Sequence, residues 1–263
     1  MKISLGFSPC PNDTFIFDAL VNKKIETHGL DFEIHLADVE TLNLWAIEER
    51  LDVTKLSFGV FPLVKESYTL LNSGSALGTG VGPLLISKHH LTIEEISQCR
   101  ILIPGKHTTA HLLFSQAFPM ANNKQFIRYD EVENALLDSK DRFLAGVIIH
   151  ENRFTFQDKG LELISDLGKY WEEKTGLPVP LGGIVAKKEL DAAIISTVEK
   201  LIRESINYSW QHYPSLSSYV TSNAQEMNED VMRKHIELYV NKYSFDLGQE
   251  GKNAVEKWLM VNC

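Results

Sequence analysis

The sequence predicts an α/β protein of two lobes with a ligand cleft between them. Strand-like and helix-like runs alternate up to Lys187, two glycine-dense segments lie far apart (Ser73 to Pro83, and Leu181-Gly182-Gly183), and the chain beyond Lys187 reads almost wholly helical. Alternation of strands and helices implies a mostly parallel sheet covered by helices. The two glycine-rich crossings suggest that the chain leaves a first lobe and returns to it. That gives residues 1–83 and 184–263 to one α/β lobe and 84–183 to a second, with the ligand cleft between them.

Residues 3–7 read as a short buried strand. Pro9 and Pro11 can neither extend a strand nor sit inside a helix. Asn12, Asp13 and Thr14 are all N-cap types, so a sharp turn into a helix over 14–21 is expected. A helix start with free N–H donors suits an anionic ligand group, and plain capping is the alternative use of the same residues. Leu30, Phe32, Ile34 and Leu36 alternate as a strand does. Asp38 can cap a helix carrying Leu42, Trp45 and Ala46 on one face, and 53–60 reads as the next strand. The stretch 73–83 lacks the Gly-Lys-Ser/Thr ending of a phosphate loop and the strand–helix setting of a dinucleotide fingerprint, so it reads as a crossover or ligand-lining segment. Residues 84–87 open a second set: a strand over 100–103, a helix over 110–118, a short strand over 125–129, a helix over 131–137 and a buried strand over 147–150. A short helix near Trp171 is closed by Gly176 and stopped by Pro178. Leu190, Ile194, Val198, Leu201 and Ile202 then give a long amphipathic helix, followed by helices over 228–243 and after Gly251.

A hydrophobic content of 44% supports a proper core, and a net charge of −9 without a Lys/Arg cluster argues against nucleic acid as a partner. The three cysteines, Cys10, Cys99 and Cys263, form no CxxC pair, so neither a disulfide framework nor a zinc site is expected. Lys2 runs straight into the first strand with no long apolar leader, and no 18-residue apolar run exists. A cytoplasmic protein with no membrane span is the expectation. His107 and His111 can share a helix face, but a third metal ligand is missing, so no metal is expected.

His150 is the first candidate for chemistry. It ends the hydrophobic run Gly146-Val147-Ile148-Ile149, and ligands bind at the carboxyl ends of strands in open α/β sheets. An imidazole there can take a proton near neutral pH, and a surface histidine is the alternative. Adjacent strand side chains point to opposite faces, so Glu151 need not share its ligand. Thr108 and Thr109 start a helix and can clamp an anion; capping alone uses one of the two. Ser57 has no Gly-x-Ser-x-Gly elbow around it, which argues against a nucleophilic role. Asp13 is an acid/base group or a cap. Cys10 lies at a helix start, which lowers a thiol pKa, but without a partner base it reads as a packed thiol.

The opening Ser8-Pro9-Cys10-Pro11-Asn12-Asp13-Thr14-Phe15-Ile16-Phe17 resembles that of the 1,4-dihydroxy-6-naphthoate synthases, enzymes of the futalosine route to menaquinone. Thr54-Lys55-Leu56-Ser57, Pro104-Gly105-Lys106-His107-Thr108-Thr109-Ala110 and Ile148-Ile149-His150-Glu151 are similar to the same family, and the likeness continues through 171–178 and more loosely to the C-terminus. The resemblance implies a two-lobed fold like the type II periplasmic binding proteins. It implies a lyase in which His150 accepts a proton and starts carbon–carbon cleavage of cyclic dehypoxanthine futalosine. Lys55, Leu56, Ser57, Thr108, Thr109 and the turn Asn12, Asp13, Thr14 would hold this small carboxylate substrate, with no metal or organic cofactor. A non-catalytic solute-binding protein and a chorismate-dehydratase-like enzyme of the same route share the fold. The lack of a leader argues against the first, and the opening motif and Ile-Ile-His-Glu against the second.

Overall fold

A computed structural model describes residues 1–225 and 228–262 with their side chains; Cys263 lies outside the described residues. The chain opens with β1 (Lys2–Phe7), in which Ile3, Leu5 and Phe7 are fully buried, and turns into α1 (Pro11–Val21). This helix starts earlier than the cap residues implied. Cys10 holds the N-cap backbone angles, and its carbonyl accepts from the N–H groups of Asp13 at 3.1 Å and Thr14 at 3.0 Å. Pro11 occupies the first helical turn, where its missing N–H would have had no partner.

β2 (Asp31–Leu36) leads to α2 (Val39–Ile47), which Asp38 caps as expected by accepting from the N–H groups of Glu40 and Thr41. β3 (Val53–Ser57), α3 (Phe61–Val64), β4 (Tyr68–Leu70) and β5 (Ala76–Gly78) follow. The next stretch holds β6 (Leu84–Ser87), β7 (Arg100–Ile103), α4 (Thr109–Ala117), β8 (Lys124–Phe126), α5 (Val132–Asp138), β9 (Leu144–Ile148) and β10 (Glu162–Asp166). α6 (Leu167–Thr175) ends on Gly176 at φ 69°, the left-handed stop that glycine adopts without steric cost. β11 (Val179–Lys187) precedes the helices α7 (Ala192–His212), α8 (Ser218–Asn223), α9 (Glu229–Tyr239), α10 (Lys242–Phe245) and α11 (Gly248–Asn262).

Among the described residues the strands form two sheets, β2-β1-β3-β11-β4 with β5 beside β11, and β10-β6-β9-β7-β8. β1 runs parallel to β2 and β3, whereas the returning strand β11 is antiparallel to β3, β4 and β5. In the second sheet β7 is parallel to β8 and β9, and β6 is antiparallel to β9 and β10. Both sheets are therefore mixed, where strand–helix alternation had implied mostly parallel pairing. The border expected at 183–184 falls inside β11, and the last strand of the second sheet ends at Asp166.

One apolar cluster joins the sheets, with Leu56 and Phe58 on one side, Ile101 and Phe114 on the other, and Trp171 and Trp258 between the helices. Trp258 of α11 also donates its indole N–H to the Phe58 carbonyl at 2.8 Å, so the C-terminal helix ties down the chain just after β3. A second cluster packs Leu5, Phe7 and Phe17 against Val198 and Ile202 of α7. Burying such side chains contributes roughly 1.5–3 kcal/mol each. The packing fixes β1, β3, β7 and β9 so that the segments following their carboxyl ends approach one another.

Candidate functional site

Those segments line one cavity of about 720 Å³ that opens to solvent. Ser8, Asn12 and Asp13 come from the β1–α1 turn, Lys55, Leu56 and Ser57 from β3, Thr108 and Thr109 from the start of α4, and His150 from the chain after β9; Leu181 and Gly182 of β11 and His235 and Tyr239 of α9 complete the wall. Every residue expected at the site reaches the cavity except Thr14. Its hydroxyl is buried and donates to the carbonyls of Cys10 and Pro11, so it serves helix α1.

Asp13 is not a cap. Its carboxylate accepts from the Ser8 hydroxyl at 2.8 Å, the Ser8 N–H at 3.3 Å, the Asn12 amide at 2.9 Å and the Lys55 ammonium at 2.9 Å. Lys55 also donates to the Gly74 carbonyl at 3.0 Å, and both members of the ion pair are buried. The pair is neutral overall, so a ligand meets a polar wall without a net charge.

Ser57 and the threonines form a second polar group on the cavity lining. Thr108 is the N-cap of α4: its hydroxyl accepts from His111 N–H at 3.2 Å and donates to the Gly105 carbonyl at 2.9 Å. Thr109 donates its hydroxyl to the Leu181 carbonyl at 2.8 Å, and its N–H to the Ser57 hydroxyl oxygen at 2.6 Å. A hydroxyl has one proton, so the 2.9 Å contact between the two hydroxyls is a bond donated by Ser57 to Thr109. A ligand carboxylate that accepts from one of these hydroxyls therefore takes the proton over from an internal acceptor, a carbonyl for Thr108 and Thr109 and the Thr109 hydroxyl for Ser57. Asn43 of α2, absent from the sequence reading, accepts from Ser57 N–H at 2.9 Å and donates to the His107 carbonyl at 3.2 Å. Glu40 accepts from the N–H groups of Lys106 and His107, so α2 bridges to the second sheet beside the cavity.

β9 ends at Ile148, two residues before the histidine expected at its end. His150 opens a tight 3-10 turn at φ 59°, a region that costs a non-glycine residue about 1–3 kcal/mol and that concentrates at functional sites. Its Nε2 is sealed from solvent and has no hydrogen-bond partner. Tyr129 meets the ring edge-on at 4.9 Å, and His235 lies nearly parallel at 6.1 Å and 16°. Burial pushes the His150 pKa down to about 4, against the opposing pull of Asp13, so the ring is neutral at neutral pH. The turn also folds Glu151 back: Cys10 Sγ, a His150 ring nitrogen and a Glu151 carboxylate oxygen all lie within 4.8 Å of one another. Alternation along a strand had separated Glu151 from His150; the turn removes that alternation. Burial raises the Cys10 thiol pKa well above its ordinary value, opposite to the helix-start effect.

His235 was not found from sequence. It is fully buried on α9, and its Nε2 lies 2.9 Å from Asn12 Oδ1. Asn12 turns its NH₂ toward Asp13, so its oxygen faces His235 and Nε2 carries the proton. The bare Nδ1 has no hydrogen-bond partner and lies 3.8 Å from Glu151 Oε2. The available signal was a histidine on the same helix face as Met232, Ile236 and Tyr239, which equally describes a core position.

Residues 3–261 match the pattern of a family described as menaquinone biosynthesis. A 1,4-dihydroxy-6-naphthoate synthase of Thermus thermophilus is 43% identical over 97% of this chain and 92% of its own length. One of Streptomyces coelicolor is 36% identical over 96% and 90%. A solved protein structure from Archaeoglobus fulgidus superposes with a TM-score of 0.92 at 28% identity, covering 98% of this chain and 96% of that one. The periplasmic aliphatic sulphonate-binding protein of Escherichia coli matches at a TM-score of 0.67 and 9% identity, over 99% and 86%, which shows the fold alone. The fold is periplasmic-binding-protein-like, as the motifs implied.

Proposed function

The chain belongs to the menaquinone biosynthesis family, and from that premise we propose that it acts as a 1,4-dihydroxy-6-naphthoate synthase, a lyase on cyclic dehypoxanthine futalosine. The observation that carries the site assignment is His150, a neutral imidazole in a strained turn at the wall of the cavity that Ser57 and Thr109 also line. In this reading His150 accepts the proton whose removal starts carbon–carbon cleavage. Aromatisation of the bicyclic product supplies driving force, and a sugar-derived fragment leaves.

Ser57, Thr108 and Thr109 hold a polar end of the substrate by exchanging internal hydrogen bonds for ligand ones. Asn12, Asp13 and Lys55 form a second polar stretch of the lining, and Leu56 offers apolar surface. Holding the reacting groups at fixed separation converts binding energy into rate. The reading includes two lobes, built on the two sheets, that enclose the substrate, and a cytoplasmic location. Among the described residues no helix is long and apolar enough to cross a membrane. Incubating the protein with cyclic dehypoxanthine futalosine tests the activity. Appearance of the naphthoate chromophore is the expected result, and tight binding of the compound without turnover would make the protein a binder only.

A further inference from the structure

We propose that Cys10, His150, Glu151 and His235 form a latent site for a borderline transition-metal dication such as Zn²⁺, and that its occupation switches the cleft off. The switching part rests on the base role given to His150; the site itself does not. The first three residues already place a sulfur, a nitrogen and an oxygen within 4.8 Å of one another. Ligands about 2.0–2.3 Å from a tetrahedral zinc stand roughly 3.3–3.8 Å apart, so closing the site needs movements of about 1 Å. His235 Nδ1 lies 3.8 Å from Glu151 Oε2 but outside the group of three, so it must move further than they do to take the fourth corner.

Several independent features favour such an ion. Both histidines carry a sealed ring nitrogen without a hydrogen-bond partner. A buried polar atom left so costs about 1–3 kcal/mol, a cost that coordination removes for a nitrogen that becomes a ligand. The His235 tautomer is already the one required: Nε2–H is held by Asn12, whose amide is held by Asp13, leaving Nδ1 with its lone pair outward. That is the outer-shell support common to metal-bound histidines. A thiolate, two imidazoles and one carboxylate suit zinc and its neighbours, whereas Ca²⁺ and Mg²⁺ demand oxygen ligands. The charges also balance. Binding releases the Cys10 thiol proton to solvent, and thiolate plus carboxylate neutralise the dication, while Asp13 stays paired with Lys55.

Cobalt(II) serves as the spectroscopic probe of the metal-free protein. Titration is expected to give tetrahedral visible bands and a thiolate-to-cobalt charge-transfer band, both abolished by Zn²⁺ competition. Cys10→Ala removes the charge-transfer band; Cys99→Ala retains it, because Cys99 is buried elsewhere and donates to the Glu95 carbonyl. Cys10 does not line the cavity, so Cys10→Ala keeps its turnover. In the wild type Zn²⁺ lowers turnover and a chelator restores it. Loss of outer-shell partners alone costs metal sites ~10–100-fold, so Cys10→Ala should weaken zinc inhibition by about tenfold or more. Glu151→Gln serves as the second variant, with the same weakening of cobalt and zinc binding. No cobalt spectrum in the wild type, or a spectrum unchanged in Cys10→Ala, overturns the site. A cobalt spectrum with zinc-insensitive turnover leaves the site standing and overturns the base role of His150.

Discussion

His150 combines two properties that a residue placed for packing alone does not need. Its backbone is held at φ 59°, and its ring is kept neutral by burial. His150→Asn keeps a polar group of similar reach but removes the proton acceptor. General-base losses run to about 10²–10⁴-fold, and kcat should fall by that order while ligand affinity changes little. Parallel turnover and binding measurements check this; near-normal turnover would move the base elsewhere. Asp13 and Lys55 behave as one unit. Breaking a buried ion pair from one side costs about 3–5 kcal/mol, because the survivor is left charged and poorly solvated. Asp13→Asn is expected to lose stability of that order, and the double variant Asp13→Asn with Lys55→Met to be less destabilised than the sum of the singles. Urea denaturation of the four proteins measures the coupling, and strict additivity would refute it. Asp13 looked like a helix cap in sequence because its partner lies 42 residues away, where no local spacing can point to it.

At the scale of elements, a start and an end were legible where one local rule decides them, while the start of α1 was not. Asp38 capped α2 as read, and Gly176 ended α6, because each is a local steric or hydrogen-bonding rule. β4 and β5, with three residues each, are too short to show alternation, and their pairing is set by neighbouring strands, whereas the short strand read over 125–129 is found as β8, Lys124–Phe126. Gly59 shows why the segment after β3 approaches α4 so closely: a Cβ there would lie 2.4 Å from the Thr108 carbonyl carbon. α4 also carries a pH-dependent contribution to stability. His111 is half-buried, with Nδ1 2.7 Å from the Lys106 carbonyl and Nε2 3.5 Å from the Lys124 ammonium. Burial lowers its pKa, and Lys124 adds to the effect, against the Lys106 carbonyl. The unfolded chain takes up the proton first, so stability is fully present above about pH 6.5 and is lost as the pH falls below it, until the lower folded-state pKa is passed. Denaturation at about pH 8 and about pH 5.5 should show a shallower loss in His111→Gln than in the wild type. Equal losses would mean that other groups carry the acid sensitivity.

The whole molecule makes the site by bringing together segments that sequence can only list separately. The motifs after β1, in β3, at α4 and after β9 were each visible, and so was an α/β fold of the periplasmic-binding-protein kind. His235 was not, because it reaches Asn12 across 223 residues from a helix whose pattern reads as core. Nor did spacing reveal that the Ser57, Thr108 and Thr109 hydroxyls are already spent on internal acceptors. A cleft lined by both sheets has a thermodynamic consequence. A ligand held by both walls binds the folded state alone, and at 100 times its Kd it adds about 2.7 kcal/mol to stability. For a chain of this size that is a rise of roughly 5–10 °C in Tm. The product 1,4-dihydroxy-6-naphthoate should therefore raise Tm in the wild type and in His150→Asn alike, since the substitution removes a proton acceptor and leaves the walls in place. Thr109→Val loses the hydroxyl that joins Ser57, Gly59 and Leu181. It should melt lower without ligand and show a smaller rise with it. A full ligand-induced rise in Thr109→Val would mean that this wall stabilises the fold without touching the ligand.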